Sequence, residues 1–125
     1  MATNLVPRTE GGRFLEGFGR RHEGSLATVR VLHPTFSSQV EARDLALEGI
    51  VFTSEGESGP ISLHLGVRPD RHVEHEVRDP RQLWVETSRR GAEQALEIVE
   101  GDDCKTILEF RSPALPEEVD GILER

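Results

Sequence analysis

Three histidines, His64, His72 and His75, lie within a stretch of twelve residues, near Glu74 and Glu76. Imidazole nitrogen and carboxylate oxygen are donor types that zinc and similar divalent ions accept. In a strand, successive side chains point to opposite faces. His72, Glu74 and Glu76 then share one face, and Val73, His75 and Val77 the other. Pairing Leu65 with Val73 and Leu63 with His75 aligns the apolar faces of two neighbouring strands, and the same register sets His64 opposite Glu74 with His72 one step along. This gives a candidate divalent-metal site at His64, His72 and Glu74. The plainer reading is a solvated ladder face carrying a cross-strand His–Glu pair, and it has the greater weight because no spacing here is diagnostic. His75, in phase with valines, reads as a neutral core histidine; a binding imidazole at a pocket is the sharper alternative.

Other reactive residues carry less. Cys104 shares a face with Thr106, Leu108 and Phe110 and reads as a small buried hydrophobe. Its neighbours Asp102 and Asp103 push a thiol away from reactivity. Ser37 and Ser38 lack the G-x-S-x-G elbow of a serine nucleophile. Gly17-Phe18-Gly19 follows no strand and lacks the third glycine of a nucleotide fingerprint. No catalytic residue is assigned. His22 reads as a helix-end residue and His33 as a loop residue. Trp84 is either an exposed interface anchor or a core residue covered by Phe14 and Phe18, the second arrangement being favoured.

The elements that hold these residues follow from a change of period. Phe14, Leu15 and Phe18 form the stripe of a short amphipathic helix over residues 13 to 22, stopped at Gly24. Period-two alternation then predicts strands over 27–32, 40–52, 61–65, 72–77, 83–87, 96–100 and 104–111. In the second of these the apolar phase slips near Asp44 and again near Gly49, which calls for a bulge or bend at each. Leu115, Val119, Ile122 and Leu123 after Pro116 predict a short C-terminal helix.

The expected fold is therefore mainly β (α+β). It is an antiparallel meander of six to seven strands forming a small barrel or curled sheet, with a short helix at each end. Residues 1–10 are read as a flexible arm, 13–111 as the core and 112–125 as the tail of a single domain spanning 1–125. Parallel α/β architecture is excluded because no crossover helices separate the strands.

Charge narrows the partners. Fifteen basic against 23 acidic residues give −8, of which −6 belongs to residues 86–125. That balance argues against nucleic acid, which needs a clustered positive surface, and marks the last third as a candidate face for a basic partner. The longest strongly apolar run is Ile50-Val51-Phe52, so no membrane partner is expected. The single cysteine excludes an intrachain disulfide and suits a reducing, cytoplasmic setting. Arginine outnumbers lysine 14 to 1, as in GC-rich coding.

Several motifs occur in a familiar order: EARDLALEGI at 41–50, I-x-L-x-L-G at 61–66, H-x-V-x-x-P at 75–80 and GAEQALEI at 91–98. Together they resemble a family of small uncharacterised bacterial proteins, a domain of unknown function, over about residues 13–111. Ala46 stands where that pattern would place a proline. The resemblance implies a compact domain and brings no activity or cofactor with it. With a patterned core and no catalytic constellation, the leading expectation is a non-enzymatic module that binds a protein partner or itself, through a strand edge or the Trp84 face. The alternative is a small-ligand or metal-binding protein or enzyme with its site near His64, His72, Glu74 and His75.

Overall fold

The computed structural model describes residues 2–35, 38–52, 59–66 and 72–114. Its elements are β1 (Ala2–Val6), a 3-10 turn (Arg8–Glu10), α1 (Gly11–Arg21), β2 (Leu26–Leu32), β3 (Gln39–Phe52), β4 (Ile61–Leu65), β5 (Val73–Val77), β6 (Pro80–Thr87), β7 (Glu93–Glu100) and β8 (Lys105–Ala114). All eight strands pair antiparallel in one sheet of order β1-β6-β7-β8-β2-β3-β4-β5. It consists of two meanders, β2 to β5 and β6 to β8, joined where β2 pairs with β8. Among the described residues the architecture is mainly β with one α-helix, as the alternation of apolar residues requires.

Several expectations need correction. Among the described residues the sheet is not closed into a barrel: β1 and β5 remain edges, and there are eight strands rather than six or seven. It is strongly curled nonetheless, because His75 on edge strand β5 reaches Thr106 on central strand β8, with three strands between them in the sheet. Residues 1–10, expected as an arm, contain β1, which pairs with β6 from Ala2 opposite Thr87 to Val6 opposite Leu83. Of this strand only Val6 is buried, so it carries almost none of the alternation by which a strand is read. At the other end, β8 runs on through Ser112, Pro113 and Ala114. The helix expected after Pro116 lies outside the described residues.

The two anticipated irregularities of β3 are present. Against β2 the register slips around Thr28, and Asp44 takes a left-handed φ of 52° with its N–H donated to the Thr28 hydroxyl at 3.2 Å. Against β4 it slips between Leu47 and Gly49. The first slip keeps Ala42 and Leu47, which are out of phase for a regular strand, both in the core, and the second lets Ile50 and Phe52 pack against it as well.

The helix lies over the concave face. Leu15 and Phe18 are fully buried, and Phe18 packs its ring 5.7 Å from that of Phe110 on β8. Ordinary Gly-weakened helices of this length are marginal alone, so docking of these side chains is what holds α1. Past the helix, Gly24 adopts φ 89° and donates its N–H to the Leu47 carbonyl at 2.8 Å. Among the described residues no helix is long and apolar enough to cross a membrane.

Candidate functional site

The histidine pair is positioned by β4 and β5. Their register places Leu65 opposite Val73, Leu63 opposite His75 and His64 opposite Glu74, the alignment that the apolar alternation predicts. Ile61, Leu63 and Leu65 face the core, so His64 projects from the convex face. His72, just before β5, brings its Nε2 to 3.4 Å from His64 Nδ1, with ring centroids 5.4 Å apart. Its other ring nitrogen, Nδ1, lies 3.1 Å from a Glu48 carboxylate oxygen.

Glu48, His64 and His72 each offer a donor atom, and the three atoms lie within 4.8 Å of one another. The acidic member of this group is thus Glu48 on β3; Glu74 stands opposite His64 without joining it. Sequence reasoning missed Glu48 because the slip between Leu47 and Gly49 frees this residue from regular alternation and turns it toward the histidines. A carboxylate beside the phase slip was the only available sign.

His75 faces inward and is half-buried, its Nε2 3.3 Å from Thr106 Oγ1. Burial lowers its pKa from the ordinary histidine value, against a smaller opposing pull from the charge of Glu41. The imidazole is therefore held toward its neutral form. Cys104 is buried, and its thiol is pushed up by desolvation first and then by Asp102 and the neighbouring acids. Both directions oppose thiolate chemistry.

Trp84 is not covered by Phe14 and Phe18, which belong to the concave side with α1. It is partly exposed on the convex face, where its indole N–H donates to Gln82 Oε1 at 3.3 Å. It sits between Leu5 of β1, half exposed, and Glu97 of β7. A groove of about 160 Å³ runs here across four strands, floored by Ala95 and Ile107 and edged by Thr3. Three carboxylates line it: Glu86, Glu97 and Glu109. Lys105 approaches Glu97 at 3.8 Å and Arg30 approaches Glu109 at 3.6 Å. Glu86 has no ionic partner among the described residues.

A second cluster lies at the end of α1. His22, nearly fully buried, stacks on Phe110 at 4.4 Å and places Nε2 2.6 Å from Glu93 Oε1. Arg21 donates to both Glu93 oxygens, at 3.2 and 3.0 Å. Burial raises the Glu93 pKa, but the hydrogen bonds and charges of His22 and Arg21 outweigh it and hold the carboxyl below its ordinary value. Seventy-one residues separate His22 from Glu93, so no local spacing announces the pair. The apolar cavity between β1, β6 and the start of α1 is about 30 Å³, room for one water and no substrate.

No curated protein and no solved structure matches the chain. A family does, by the description Family of unknown function (DUF5335), over residues 2–119. The chain thus belongs to this family of unknown function.

Proposed function

We propose that this domain is a non-enzymatic binding module whose convex face, centred on Trp84, receives a cationic segment of a partner protein. The observation that carries the reading is the groove itself. An indole ring and the half-exposed Leu5 supply apolar contact, and Glu86, Glu97 and Glu109 supply negative charge around it. A lysine or arginine side chain suits such a place, because its aliphatic stem lies on apolar surface while its charged end meets carboxylates and an aromatic face. The uncompensated Glu86 is the natural first partner. Glu97 and Glu109 can exchange their exposed internal pairs for the incoming cation at little cost. The two other chemistries weighed have no geometric support: a buried thiol with a raised pKa and a neutral inward histidine form no nucleophile-base pair.

Trp84 is the chain's single tryptophan, so its fluorescence reports on this face alone. Titration of the full chain with an arginine-rich peptide at low salt should give a saturable change, weakened by added salt and lost in the double reversal Glu86→Lys, Glu97→Lys. An acidic peptide of the same length should give none. A flat titration, or an equal response to the acidic peptide, overturns the reading. A concentration-dependent dimer in sedimentation that buries Trp84 would replace the cationic partner with a second copy.

A further inference from the structure

We propose that Glu48, His64 and His72 form a binding site for a divalent transition-metal ion of the zinc class on the convex face of β3, β4 and the start of β5. The site stands apart from the Trp84 groove and does not rest on that reading, since it uses none of the strands β1, β6, β7 or β8.

Convergence is the first argument. Three side chains from three successive parts of the sheet bring donor atoms within 4.8 Å of one another. Ligand atoms of one tetrahedral ion, with bonds of about 2.0–2.2 Å, lie roughly 3.4 Å apart; His64 Nδ1 and His72 Nε2 already stand at 3.4 Å, and a rotamer adjustment of Glu48 brings in the third donor. The arrangement is also built rather than incidental to one flexible loop. His64 is fixed by the β4–β5 register, and Glu48 is aimed by the register slip beside Gly49.

The second argument is the relation of His72 to its two neighbours. Its Nε2 faces His64 Nδ1 at 3.4 Å, so both nitrogens look at the same point. Its Nδ1 lies 3.1 Å from Glu48. A histidine that ligates through one nitrogen characteristically donates its other N–H to a carboxylate, which sets the tautomer and raises ligand basicity. Glu48 thereby holds His72 through one carboxylate oxygen, leaving its second oxygen as the third donor to the ion. Two imidazoles with one carboxylate favour zinc and its neighbours over calcium or magnesium, which take sets dominated by oxygen. Three protein donors leave a coordination position open to water or a ligand.

The test is calorimetric titration of the chelator-stripped full chain with Zn²⁺, and with Mg²⁺ and Ca²⁺ as controls. One saturable zinc site is expected, absent in His64→Ala and His72→Ala and weakened on the order of ten- to a hundredfold in Glu48→Gln. Glu76→Gln, on the same face outside the group, should leave the isotherm unchanged. Circular dichroism establishes that each variant is folded, and the visible absorption of bound Co²⁺ should disappear in the same variants. The proposal is overturned by any of three results: no saturable zinc heat, an isotherm unchanged in His72→Ala, or loss in Glu74→Gln without loss in Glu48→Gln.

Discussion

His22 donates its imidazole N–H to Glu93 across 2.6 Å, tying the end of α1 to the first residue of β7. Removing the acceptor charge leaves a nearly fully buried histidine with a weaker partner and frees Arg21 as well. Glu93→Gln should therefore cost roughly 1–3 kcal/mol of unfolding free energy. Because the folded carboxyl is held below its ordinary value, folding favours the ionised form. Its contribution is fully present above the unfolded carboxylate value of about 4.3 and is lost as pH falls through the folded one. Urea unfolding of wild type and variant at neutral and acidic pH measures this. The gap between the two should narrow on acidification, and a gap that stays constant would count against the link.

His75 gives a second window with a different cause. Desolvation lowers its folded pKa, so below the unfolded histidine value of about 6.5 the unfolded chain takes up a proton more readily. Stability from this group is complete above that value and declines as pH falls toward the folded one. His75→Phe keeps the apolar contacts and removes the titration. Between about pH 7.5 and 5.5 the variant should lose less stability than wild type, as read by thermal melts. Equal slopes would show that His75 is not held neutral.

Two glycines should respond oppositely to alanine. Gly17 lies within α1, and a methyl group there meets only Arg21 Nη1, at 3.1 Å, the guanidinium nitrogen that takes no part in the Glu93 pair and needs to give by only a few tenths of an ångström. Gly17→Ala should stabilise by up to about 1 kcal/mol through helix propensity alone. Gly24 has open space around it but a left-handed backbone, φ 89°, and its N–H holds β3. Gly24→Ala should destabilise by roughly 1–2 kcal/mol. Opposite shifts of the melting temperature are the expected outcome; a shared sign would mean that the αL geometry is relaxed at no cost.

Thr28 offers a fourth check. Its hydroxyl accepts the Asp44 N–H at the β2–β3 bulge. Thr28→Val keeps the shape and removes that acceptor, which should cost about 1–3 kcal/mol. Asp44→Gly, which relieves the positive φ of 52°, should offset part of it in the double variant. Strict additivity of the two changes in denaturant titrations would show that the sites are uncoupled.

What the sequence discloses here tracks how local the physics is. The β4–β5 register was legible because alternating apolar residues on both strands must bury the same face, which rules out every one-residue slip. Both bulges of β3 were legible as slips of that same alternation. β1 was not, since an edge strand that buries only Val6 has no pattern to show. The helix was visible from Phe14, Leu15 and Phe18, but not the side of the sheet it covers, so it was expected over Trp84, which the structure leaves partly exposed on the other face. Glu48 and the His22–Glu93 pair depend on where the backbone is aimed and on contacts across the whole chain. The phase slip beside Glu48 is a faint local sign of the first; nothing in neighbouring residues encodes the second.

The junction of β2 with β8 also sets an order of events. β8 lies in the interior of the sheet, yet it is the last of the eight strands in the chain. Each meander can pair locally, but the seam between them, Ala27 opposite Phe110 to Leu32 opposite Lys105, joins residues more than seventy positions apart. Such a pairing closes slowly, because loop entropy is spent before the contact forms. During synthesis from the N-terminus, β2 to β5 must therefore wait with one side unmatched until residue 105 and its successors emerge. The nascent chain is most exposed to strand exchange with a second copy during that interval.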